Sequence, residues 1–129
     1  MAFMIARDPG AFSLDPSDKT QKRIKDAAHL AFIRKLPSVV SGAYGCEACH
    51  IRMGSPQHRK ARTPAGRKPD DAYCLPLLPD EHREQHSGAE MAFWTRNGIK
   101  DPCGLALAIY AVTGQQDEAI KIIMAARRK

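Results

Sequence analysis

A chain of 129 residues, 43% hydrophobic and 26% charged, has the make-up of one globular domain able to bury a core without disulfide staples. No run approaches the roughly 18 apolar residues of a membrane span. The opening MAFMIARDPGAF lacks the basic start, long apolar stretch and small-residue cleavage site of an export signal, so a cytoplasmic protein is expected.

Residues 1–17 hold Pro9 and Pro16 and little periodicity, which reads as an N-terminal arm. Residues 18–129 read as a single domain, with a core at about 38–87 and a helical part at 88–129. A helix is predicted over 26–35, with Asp26 as N-cap and Pro37 closing it. Residues 36–42 read as an extended segment ending in a turn, and 44–51 as a strand. A loop rich in Pro, Gly and basic residues follows over 52–70, and a second strand over 72–78. Pro79-Asp80 opens a helix that carries His82 and His86. Ser87 and Glu90 have the spacing of a capping box for the next helix, which carries Met91, Phe93 and Trp94 and stops at Gly98. Asp101-Pro102 caps another, with Leu105, Ala108, Ile109 and Val112 as its inward stripe. A last helix runs from 117 to the end, with Ile120, Ile123 and Met124 inward. The fold class is α+β: a short two-stranded hairpin with a long loop, surrounded by several helices.

The charge is not spread evenly. Residues 51–68 contain Arg52, Arg59, Lys60, Arg62, Arg67 and Lys68 and no Asp or Glu, which alone accounts for the net +6. A cationic stripe on a neutral body points to a polyanionic partner, and these six residues are the expected phosphate contacts. The stripe is bracketed by histidines. His82 and His86, at i and i+4 on a helix, share a face with about 5–6 Å between Cβ atoms and can supply two ligands to one cation. His50, near the end of the first strand, can serve as a general base. Cys49 is a further candidate ligand, although alternation along the strand turns it away from His50 unless the strand twists there. Together these residues fit the hydrolysis of a phosphodiester with one metal ion. His58, inside the loop, is placed to touch phosphate, and His29 reads as structural.

The text CEACHIRMG, then GRKPDDAYCLPLLPDEHREQHSGAEMAFWTRNGIKDP, resembles the small HNH-type nucleases of phages and prophages, including the Ref (recombination enhancement, RecA-dependent nuclease) kind. The helix text EHREQHSG is also similar to the metal-binding end of colicin nucleases. The resemblance covers about residues 27–113. It implies a ββα-metal (His-Me finger) core, DNA as substrate with little sequence specificity, and one divalent ion (Mg, Mn, Ni or Zn). It places His50 at the general base, His82 and His86 at the metal, and Asp71 near the position that orients the base. By the same analogy the protein works in the bacterial host of a phage or prophage, in recombination and with the RecA filament as a partner.

Relatives of this kind clamp a structural zinc at four positions, which here are Ser38, Ser41, Leu78 and Glu81. Serine is a poor zinc ligand and leucine none, so no structural zinc is expected there, and packing around Val39, Val40, Leu77 and Leu78 is expected to replace it. A thiolate at Cys49 favours a soft metal such as zinc over magnesium. Two other metal readings remain. Cys46, Cys49 and one or two of His82, His86 and Cys74 can form a structural zinc site, making the chain a non-catalytic nucleic-acid-binding module. Cys46-Glu47-Ala48-Cys49-His50 also matches the haem-attachment spacing, which requires export.

Overall fold

Asp26 starts the first helix, α1 (Ala27–Ile33), by accepting the backbone N–H of His29 at 2.9 Å, one of the donors a helix start leaves unpaired. The computed structural model describes residues 23–64 and 66–127; the arm at 1–17 lies outside them, as do Arg128 and Lys129. Among the described residues the chain is α+β, with five α-helices and one antiparallel hairpin.

The hairpin pairs β1 (Glu47–His50) with β2 (Cys74–Leu77), in the register Glu47–Leu77, Ala48–Pro76, Cys49–Leu75 and His50–Cys74. Both strands are shorter than predicted. The ladder gains one further bond, from Ile51 N–H to the Tyr73 carbonyl, and then stops. It stops because the Tyr73 N–H turns back to the Asp70 carbonyl rather than returning a bond to Ile51, and beyond it the amides of Arg52 and Met53 donate to the Glu90 carboxylate at 3.1 Å each. Hydrogen-bonded and non-bonded pairs alternate in an antiparallel ladder, so the Ile51–Tyr73 bond makes His50–Cys74 and Ala48–Pro76 non-bonded pairs. That phase lets a proline sit inside β2, and it draws the His50 and Cys74 side chains together on one face.

The turn at 38–42 closes with Gly42 in the left-handed region, φ 79°, and Val39 N–H reaches the Pro76 carbonyl across the edge of β2. Ser38 Oγ donates to Glu81 at 2.6 Å and accepts from the amides of Val40 and Ser41, while Leu78 N–H donates to the same Glu81 oxygen. A Ser–Glu hydrogen-bond staple therefore joins the turn at 38–42 to the segment 78–81. Val39 and Leu77 pack beside it in the core.

Three more helices follow α2 (Pro79–Gln85): α3 (Glu90–Arg96), α4 (Pro102–Tyr110) and α5 (Gln116–Arg127). The capping box predicted for α3 does not form. Ala89 is the N-cap, Ser87 donates to the Glu84 carbonyl, and Glu90 is turned inward. α4 is capped by Asp101 as predicted. Its buried face is Pro102, Cys103, Ala106 and Ile109, with Ala108 exposed, so the helix is rotated from the expected stripe. Ala119 and Ile123 bury from α5. Phe93 and Trp94 meet edge to face inside the core, with Ile33, Leu36, Ile51, Leu75 and Leu77 around the hairpin. No helix among the described residues is long and apolar enough to cross a membrane.

Candidate functional site

β1 ends at His50, and the loop that returns the chain to β2 brings Asp71 beside it. His50 Nε2 and Asp71 Oδ1 are 2.8 Å apart. Asp71 is nearly buried and well supplied with donors: Arg23 Nη1 gives to Oδ1 at 3.1 Å, and the Asp26 amide to Oδ2 at 2.7 Å. Burial pushes its acidity toward the neutral form. The hydrogen bonds from His50 and Asp26 and the charges of His50 and Arg23 outweigh it, so Asp71 stays below the usual carboxylate range. Cys74, the cross-strand partner of His50, completes a group whose ligand atoms all lie within 4.8 Å of one another. His50, Asp71 and Cys74 can therefore hold a metal ion. Burial pushes the Cys74 thiol up to about 12, with the Asp71 charge adding to it, so the apo thiol is protonated.

The second histidine cluster lies at the end of α2: His82 is inside the helix, and His86, expected on it, is the cap residue just after Gln85. His82 Nδ1 is 2.8 Å from Glu47 Oε1, at the opposite end of β1 from His50. The rings of His82 and His86 are 4.9 Å apart. Burial, then the neighbouring His82, holds His86 below the ordinary imidazole value, so it is neutral at pH 7. His50, His82 and His86 do not converge on a common centre as closely as the first group does; the close trio is His50, Asp71 and Cys74. What the fold makes instead is two histidine–carboxylate pairs, His50–Asp71 and His82–Glu47; Gln85 of α2 donates its side-chain amide to the His50 carbonyl at 3.0 Å.

Cys49 is turned away from the His50–Asp71 pair. It is fully buried in the core, on the opposite face of β1 from His50, and burial pushes its thiol far up. Strand alternation accounts for this: with His50 turned to Asp71, Cys49 must face the core. Cys46 and Cys103 are core residues. His29 is buried against Tyr110, and His58 Nε2 lies 3.1 Å from Asp101, tying the short 3₁₀ turn Pro56–His58 to the start of α4.

The six loop cations divide into two groups. Arg52 Nη2 donates to the carbonyls of Pro64 and Arg67 at 2.8 and 2.7 Å, and Lys60 Nζ to those of Met53 and Ala61. These two hold an irregular loop together by pairing carbonyls that no strand or helix satisfies. Arg59, Arg62, Arg67 and Lys68 instead line an open hollow of about 610 Å³, together with Arg23, Lys60 and Tyr73. Arg23 and Glu47 escape a reading by motif, and Cys74, read only as a possible zinc ligand beside Cys46 and Cys49, lies instead with His50 and Asp71. Arg23 and Cys74 join the site only through a register and a loop closure, and Glu47 only through the packing of α2.

No family model matches this chain, and no curated protein or solved structure does either.

Proposed function

We propose that the chain is a metal-dependent endonuclease of the HNH kind that hydrolyses DNA phosphodiester bonds. The observation that carries this reading is the His50–Asp71 contact of 2.8 Å at the end of a strand, beside a hollow walled by cations. Asp71, ionised and held by Arg23 and the Asp26 amide, accepts from Nε2–H of His50 and leaves Nδ1 as the basic nitrogen. There His50 takes the proton of an attacking water. Asp71 fixes the ring and offsets the charge that His50 gains. The free loop cations hold the strand by phosphate contacts that carry no base preference.

His82 and His86 suit a divalent ion. Glu47 accepts from Nδ1–H of His82, the orienting contact that ligating histidines usually have, and His86 is neutral. Such an ion supplies charge neutralisation at the phosphate and at the leaving oxygen.

A second reading has a specific observation behind it: the close group of His50, Asp71 and Cys74. A zinc held there would occupy His50 and make the chain a non-catalytic nucleic-acid-binding module with a structural metal. Plasmid nicking separates the two, run with Mg, Mn, Ni and Zn on wild type, His50→Ala, His82→Ala and Cys74→Ala, with metal content measured beside it. The nuclease reading expects EDTA-sensitive nicking that His50→Ala lowers by about 10²-fold or more while Cys74→Ala retains it. Absence of nicking in every metal, with a tightly bound zinc that Cys74→Ala releases, establishes the module instead.

A further inference from the structure

The hollow beside the basic loop has a shape as well as a charge. Its 610 Å³ equals a sphere about 10.5 Å across. Arg23, Arg59, Arg62, Arg67 and Lys68 face it, and Tyr73 gives it an aromatic wall. The one acid in its lining, Asp70, already accepts the Ile24 amide at 2.8 Å. Lys60 is committed to loop carbonyls and stands over the Tyr73 ring at 5.3 Å, so it braces the wall. Arg59 is held in the left-handed region at φ 55°, a conformation a non-glycine residue rarely adopts. Cations gathered around a concavity with so little opposing charge repel one another until an anion enters.

We infer that this hollow is a binding site for single-stranded DNA. The inference rests on the nuclease reading above and names the form of its substrate. A duplex, whose major groove alone is about 12 Å wide, is too broad to enter a hollow of this volume. An unpaired strand enters it, placing phosphates against the guanidinium groups and a base against Tyr73, the pairing of cationic track and aromatic wall that single-strand binders use. Arg23 ties the hollow to the chemistry, since the same guanidinium that lines it donates to Asp71, the partner of His50. The bound strand therefore lies one side chain away from the proposed base.

Fluorescence anisotropy in EDTA tests this without any cleavage. The probes are an oligothymidylate of about 12 nucleotides, a length within the usual range for one single-strand site, and a duplex of equal length. The single strand is expected to bind about tenfold more tightly. Arg62→Gln with Arg67→Gln should weaken it and flatten the slope of log K against log salt by about 1.4, two contacts at about 0.7 each. Both side chains are exposed and neither donates a hydrogen bond to a described residue, so the double variant keeps its fold. Equal affinity for duplex and single strand, or a double variant that keeps wild-type affinity and slope, overturns the inference. Nicking activity alongside such a result would leave the nuclease reading intact. Single-strand binding through Arg62 and Arg67 with no nicking in any metal would do the reverse.

Discussion

His29 is wholly buried, and its hydrogen bonds dictate its state. The Thr113 hydroxyl spends its proton on the Tyr110 carbonyl at 2.7 Å, so at 2.8 Å it can only accept from His29 Nδ1. Nε2 is then a buried lone pair with no partner among the described residues, which suits a neutral ring. Burial lowers the affinity of His29 for a proton, and the charges of Asp26 and Asp71, which pull the other way, do not cancel it. The unfolded chain binds that proton near pH 6.5 and the folded chain only below it. Stability from this group is therefore complete above pH 6.5 and is lost as the pH falls toward the folded value. Urea midpoints at pH 7.5 and 5.5 should drop for wild type, and His29→Gln should remove part of the drop. An unchanged drop in the variant would mean that another group carries the acid sensitivity.

At the scale of elements, Glu90 decides how the hairpin meets the helices. One oxygen accepts the amides of Arg52 and Met53, and the other accepts Gln85 Nε2 and Trp94 Nε1 at 2.9 Å each. A single carboxylate thus holds the chain just beyond β1, ties α2 to it and seats the indole in the core. Glu90→Ala strands these four donors at about 1–3 kcal/mol apiece, roughly 4 kcal/mol or more in all where water cannot replace it. Glu90→Gln keeps one accepting oxygen and should lose about half as much, and denaturant unfolding of both variants measures it. Loss of under 1 kcal/mol in Glu90→Ala would show that water satisfies the same groups. The elements themselves were legible. Asp26, Asp101-Pro102 and Pro79 are local signals, and the helices start where they stand. Glu90 was not legible: three residues after Ser87 it has capping-box spacing, yet its partners lie up to 38 residues away. The same limit applies to Arg52 and Lys60, whose carbonyl partners exist only once the loop has closed.

For the molecule as a whole, four thiols report whether a metal staples the fold. Cys46, Cys49, Cys74 and Cys103 are all buried and free. Burial is the main cause that pushes Cys46 up to about 11 and Cys74 up to about 12, with acidic neighbours adding to it. At pH 8 the thiolate fractions are then about 10⁻³ and 10⁻⁴, so reaction with a disulfide reagent waits on opening of the domain. Native protein should show almost no fast-reacting thiol, and protein in guanidinium all four. EDTA distinguishes the two metal readings at this scale. If the hairpin is held by the Ser38–Glu81 hydrogen bond and core packing, chelation leaves thiol reactivity unchanged, because under the proposed nuclease reading the ion would sit at His82 and His86, outside the core. If a zinc at His50, Asp71 and Cys74 holds it, chelation should release the Cys74 sulfur and loosen β2, and reactive thiols should rise toward the denatured count. Invariance to EDTA is the outcome expected here. Hydrogen bonding and apolar burial already join the turn at 38–42, the hairpin and α2, through Ser38, Glu81, Val39 and Leu77.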